Sequence, residues 1–146
     1  MIIETKYHGQ VEIQEEKIWT FTQGIPGFAE EKQFILLALP DNDVFFILQS
    51  TNTPNLGFVV TSPFAFFPDY EFQLDEVAID ALRLDQAEEA AIYTILTVQD
   101  PFEKTTANLQ APIVVNTKNN KAKQTILNDS RYETRHAIFP VGAKKE

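Results

Sequence analysis

The chain contains no cysteine. That absence excludes disulfides, thiolate zinc sites and cysteine nucleophiles together. It has only two histidines, His8 and His136, near opposite ends of its 146 residues. A zinc site draws three or four ligands from His, Cys and carboxylates, so no metal site is expected. No stretch approaches the ~20 apolar residues of a membrane-spanning helix. The opening MIIETKYHGQ lacks a basic region followed by an apolar run, so it does not read as a signal peptide. A cytoplasmic protein with no membrane role is the expectation. The three serines, Ser50, Ser62 and Ser130, lie in no nucleophile-elbow pattern. Acidic pairs such as Glu15-Glu16 and Glu88-Glu89 are solvated surface unless they face across a cleft. No catalytic residue and no cofactor site is assigned.

Positive charge is also scarce where most of the chain lies. Residues 1–103 carry 18 acids against 4 bases, and between 41 and 103 the single base is Arg83. Residues 104–146 reverse the balance, with 3 acids and 8 bases, leaving a net charge of −9. Phosphate contacts need Lys and Arg, so direct nucleic-acid binding by the body is disfavoured. An acidic surface instead suits a basic protein partner and speeds its encounter.

What the chain does have is phenylalanine, twelve of them, and many short apolar runs. Ile3, Thr5, Tyr7, Val11 and Ile13 alternate around His8-Gly9-Gln10 and predict a hairpin with one buried face. Lys17–Phe21 reads as a short strand. Glu30–Gln33 reads as one helical turn. FILLAL (34–39) and VFFIL (44–48) flank Pro40-Asp41-Asn42-Asp43, a turn-forming tetrad. FVVT (58–61) is another strand. Pro63 suits the first position of a short helical turn. Leu74, Val77, Ala78, Ala81 and Leu82 keep helical spacing behind Asp75, an N-cap candidate. AIYTILTV (91–98) is a long strand. Residues 109–116 and 122–127 flank a polar turn in which Asn119-Asn120 supplies positive φ. These elements predict a mainly β, small antiparallel barrel-like domain over 1–140, with one or two short helices and a flexible basic tail at 141–146.

The stretch FTQGIPGF (21–28) could be mistaken for a phosphate loop. It has no Lys, and Pro26 removes an N–H donor that an anion would need. Pro26-Gly27 instead matches the centre of a type II turn, which packs Phe21 and Phe28 toward one core. A second feature stands out. Phe64, Phe66, Phe67, Tyr70 and Phe72 crowd into nine residues beside Asp69, Glu71, Asp75 and Glu76. Phe64 and Phe66 are expected in the core. Tyr70 and Phe72 fit either core or an aromatic patch rimmed by acids, as at a protein interface. Asp69, Tyr70, Glu71, Phe72, Asp75 and Glu76 are therefore the candidate partner-binding residues. The unpaired edge of whichever strand the barrel leaves open is a second candidate.

Several segments, in order, carry a resemblance: the 21–28 loop continuing to Phe34, FFILQS (45–50), FVVTSPFAFFPDY (58–70), TILTVQD (94–100), NLQAPIVVN (108–116), QTIL (124–127) and RYETR (131–135). Together the chain resembles the bacterial flagellar assembly factor FliW family. The resemblance implies a non-catalytic, barrel-like protein with two alternative partners. One is flagellin before export. The other is CsrA, the RNA-binding regulator that represses flagellin translation. Two other classes compete with this reading: a flavin-binding split-barrel enzyme and a structural subunit. Flavin phosphate needs basic or N–H-rich contacts, and residues 41–103 offer only Arg83.

Overall fold

The computed structural model describes residues 1–39 and 42–139. Eleven strands are present among them: β1 (Ile2–Glu4), β2 (Gln10–Glu12), β3 (Trp19–Phe21), β4 (Gln33–Leu39), β5 (Asn42–Ser50), β6 (Gly57–Thr61), β7 (Ala90–Thr97), β8 (Thr106–Ala107), β9 (Ile113–Asn116), β10 (Lys121–Gln124) and β11 (His136–Ala137). The helix α1 spans Glu76–Leu82.

β4, β5, β6 and β7 form an antiparallel meander, as the alternating runs predict. β3 pairs with β4, and β10 pairs with β3 and β9. β9 then pairs with β7, from Ala90↔Asn116 to Tyr93↔Ile113. These pairings close a ring, so the sheet is a barrel with most edges removed. One pairing departs from the expected antiparallel pattern: β10 runs parallel to β3 (Lys121↔Thr20). β8 extends β7 beyond β9, and β11 is added outside β8.

Period-two alternation sends one set of side chains into the ring and the other set outward. Trp19, Phe21, Phe34, Leu48, Val60, Ile113, Val115 and Ala122 fill the interior, with Phe46, Phe58 and Tyr93 against them. Trp19 packs on Tyr93 with ring centroids 5.4 Å apart. The outward residues Phe45, Val59, Ile92 and Leu96 meet a second cluster that includes Phe66, Phe67, Tyr70, Leu109, Leu127 and Ile138. The β1–β2 hairpin lays Ile3 and Ile13 over Ile35 of β4.

The 21–28 loop is a turn. Phe28 N–H donates to the Ile25 carbonyl at 2.6 Å, and Gly27 holds φ +88. Gly24 sits at φ +69, and a Cβ there would stand 2.4 Å from the Ala29 carbonyl oxygen. Phe21 is fully buried, but Phe28 stays 42% exposed and only edges onto Phe58 at the rim. The helical turn expected at 30–33 is absent, because Gln33 already pairs with Thr20 as part of β4. Pro63–Ala65 does form a 3-10 turn with proline at its start. The turn residues Pro40 and Asp41 and the expected basic tail, 141–146, lie outside the described residues.

Candidate functional site

α1 starts where the sequence predicts. Asp75 is extended, and its Oδ1 accepts the Ala78 N–H at 2.8 Å. Ala78 and Leu82 are buried as the helix packs against β10. Arg83 ends the helix in the left-handed region at φ 55, and Asn116 Nδ2 donates to the Leu82 carbonyl at 2.8 Å. An asparagine from β9 thus satisfies a helix end that has no glycine.

Leading into α1, the aromatic-acid segment lies across the outside of the barrel. Tyr70 is its anchor. It is 5% exposed, and its hydroxyl donates to the Leu109 carbonyl at 2.6 Å. Its ring meets Tyr132 at 4.8 Å and Phe72 at 5.4 Å. Burial, and then the neighbouring Tyr132, push the Tyr70 hydroxyl well above its ordinary range, so it remains a protonated donor. Tyr132 in turn clamps the backbone of Glu71: its hydroxyl accepts from the Glu71 N–H at 3.1 Å and donates to the Glu71 carbonyl at 3.0 Å. Phe64, expected in the core, is 45% exposed. The second aromatic cluster is already filled by Phe66, Phe67 and Tyr70, so Phe64 is left at its margin.

The segment forms one wall of an open groove of about 620 Å³. Phe64, Phe72, Leu74, Ile79, Leu84 and Ile92 give it an apolar lining. Its charged liners are Glu71 and Asp85, both acidic. Among the six candidate residues, Glu71, Phe72 and the buried Tyr70 therefore meet at this groove. Asp75 instead lines a second groove on the other side of α1. Asp69 and Glu76 face solvent outside both.

Sequence reasoning missed the far wall. Leu84 and Asp85 follow the helix in a polar stretch with no periodicity. They are held by Glu89, whose Oε1 accepts the Asp85 N–H at 2.9 Å and whose Oε2 meets Lys118 Nζ at 2.6 Å. These contacts, Lys118 first, hold the Glu89 carboxyl below its ordinary value of 4.5. A carboxyl depressed in the fold stabilises it above the unfolded value, and that contribution fades as pH falls through the lowered folded value. Melting temperatures measured from pH 7 down to 3 should therefore fall more steeply for the native chain than for Glu89→Gln below about 4.5. Parallel curves would mean that Glu89 does not hold this wall.

Among the described residues, no cluster of three or more His, Asp or Glu is placed to hold a metal ion, and no helix is long and apolar enough to cross a membrane.

Comparison with known proteins places this architecture. Residues 2–138 match the family model described as FliW protein. The flagellar assembly factor FliW of Geobacillus kaustophilus (strain HTA426) is 55% identical over 140 residues, covering 96% of each chain. That of Bacillus subtilis (strain 168) is 55% identical over 138 residues, covering 94% of this chain and 96% of its own. A crystal structure of the flagellar assembly factor FliW superimposes with a TM-score of 0.92 at 54% identity, covering 96% of this chain and 98% of that one. With a family model spanning almost the whole sequence and relatives above half identity, the chain belongs to the FliW family.

Proposed function

We propose that this chain is a non-enzymatic, cytoplasmic flagellar assembly factor that switches between two protein partners. One is the RNA-binding translational regulator CsrA, and the other is flagellin. Binding CsrA relieves its repression of flagellin translation. Accumulated flagellin occupies the factor and restores repression. The observation that carries this reading is the groove beside Tyr70, apolar in its lining and acidic in both of its charged residues. An apolar surface supplies affinity and its acidic margin selects a basic partner, raising the association rate. Acids brought next to an RNA-binding surface also disfavour RNA there without covering it.

Calorimetric titration with CsrA, first alone and then with excess flagellin, tests the switch. The expected result is tight binding that flagellin abolishes. Binding that survives flagellin would mean separate surfaces and would remove simple exchange. Binding to neither would favour a scaffold role.

A further inference from the structure

From Tyr70 to Asp75 the chain runs without helix, turn or bend. Exposure alternates along it: Glu71 and Gln73 are exposed, Phe72 and Leu74 half-buried. The segment therefore has the form of a lone extended strand, paired with no other. Tyr132 fixes which way its backbone faces. The Tyr132 hydroxyl engages both the N–H and the carbonyl of Glu71, at 3.1 and 3.0 Å. In an extended chain the N–H and carbonyl of one residue point to the same edge, and those of the next residue to the opposite edge. Phe72 and Leu74 thus turn their backbone groups away from Tyr132, and Gln73 turns its own toward it. Among the described residues, the main chain of Phe72, Gln73 and Leu74 makes no hydrogen bond.

The two edges also differ in charge. Residues 71–73 separate the apolar groove beside Tyr70 from a polar groove of about 500 Å³ that holds Asp129 and Arg131. On that polar side Arg131 is already paired with Asp129 at 2.7 Å. The apolar groove has Glu71 and Asp85 as its charged side chains. Among the described residues, neither carboxylate accepts a hydrogen bond, and Glu71 comes no nearer than 4.0 Å to Arg131.

We propose that the edge formed by Phe72 and Leu74 receives an extended segment of CsrA by strand addition. Two free N–H groups and two free carbonyls offer main-chain bonds on the groove side. Alternate side chains of the incoming segment enter the apolar lining, against Leu84 and Ile92. A lysine or arginine beside them meets Glu71 and Asp85. An RNA-binding protein carries such residues, because its phosphate contacts demand Lys and Arg, and this selects CsrA over flagellin. The inference rests on the partner-switch reading above and adds to it a defined backbone contact.

Amide hydrogen exchange on the full chain, free and then saturated with CsrA or separately with flagellin, tests it. In the free chain the amides of Phe72, Gln73 and Leu74 exchange at near-unprotected rates. In the CsrA complex those of Phe72 and Leu74 are expected to slow about tenfold or more, while Gln73 stays fast. Affinity is the second readout. Leu74→Pro removes an N–H that no internal bond uses, at a position where the chain is already extended. It is expected to bind CsrA about tenfold more weakly than Leu74→Ala, which trims the side chain and keeps the N–H. If Leu74→Pro melts early, the exchange pattern of the native chain decides alone. Equal slowing of all three amides means simple covering and overturns strand addition. A CsrA complex that forms with Phe72 and Leu74 still fast overturns the edge and leaves the partner switch standing. Slowing by flagellin but not by CsrA overturns the choice of occupant. Native chain that binds neither partner overturns both readings.

Discussion

Truncating Tyr70 to alanine is expected to lower folding stability by about 3–5 kcal/mol, the range for removing a large buried aromatic side chain. For a chain of this size that shifts the melting temperature by about 10 °C or more. The reason is the number of things the residue holds at once. Its ring sits between Tyr132, Phe72 and Phe64, and its hydroxyl satisfies a carbonyl of the buried Leu109. Tyr70→Phe keeps the ring and loses the hydroxyl, leaving that carbonyl without its donor. A smaller loss of about 1–3 kcal/mol follows. Denaturant unfolding of the two variants separates packing from hydrogen bonding. If Tyr70→Ala melts with the native chain, the segment is not anchored here. Tyr70→Phe should bind partners almost as the native chain does, since the residue supports the groove from behind.

Reversing the charge of the groove has the opposite profile: little effect on stability and a large effect on binding. Glu71 and Asp85 are exposed. The 4.0 Å approach of Glu71 to Arg131 is an exposed pair of the kind that contributes little. Arg131 is in any case held at 2.7 Å by Asp129. The double variant Glu71→Lys with Asp85→Lys is therefore expected to fold with a near-native melting temperature. Its affinity for CsrA should fall about tenfold to a hundredfold, mostly through slower association, and the salt dependence of binding should flatten. Stopped-flow association at several ionic strengths measures both. An unchanged rate constant at low salt would exclude the groove as the electrostatic contact. Asp75 is a poorer choice for reversal, since lysine there also removes the α1 N-cap, a loss of about 1 kcal/mol. Asp75→Asn retains the cap and removes only the charge.

Local chemistry made much of this molecule readable in advance. Alternation marked β4 to β7, Pro26-Gly27 marked the turn, and Asp75 marked the start of α1, because each signal acts within a few residues. A closed, barrel-like sheet was expected, but which strands close it was not readable that way. Nothing in residues 117–127 says that β10 lies parallel to β3 as well as antiparallel to β9. That choice is made by Ala122 fitting the interior beside Phe21 and Trp19. β8 and β11 have two residues each, too few to show a period. The candidate site divided the same way. The aromatic-acid cluster was visible as composition, but which aromatic would be buried was not. Tyr70 is buried because Leu109 and Tyr132, far along the chain, meet it. Phe64 is exposed because no such partner is left for it. The far wall of the groove, Leu84 and Asp85, depends on Glu89 reaching Lys118, a contact that spacing does not announce.

The place of β10 in the ring also bears on how the chain folds as it is made. The β4–β5–β6 meander needs only neighbouring residues and can form early. The interior it faces cannot be sealed until residues 121–124 arrive and slide between β3 and β9. That closure joins strands separated by most of the chain, so its entropy must be met before the packing it brings can offset it. Until then Trp19, Phe21 and Phe34 line an open, curved sheet with free edges, the kind of intermediate prone to pairing with other chains. β10 is thus the lock on β3, and the open sheet is most exposed to pairing with other chains until residues 121–124 are in place.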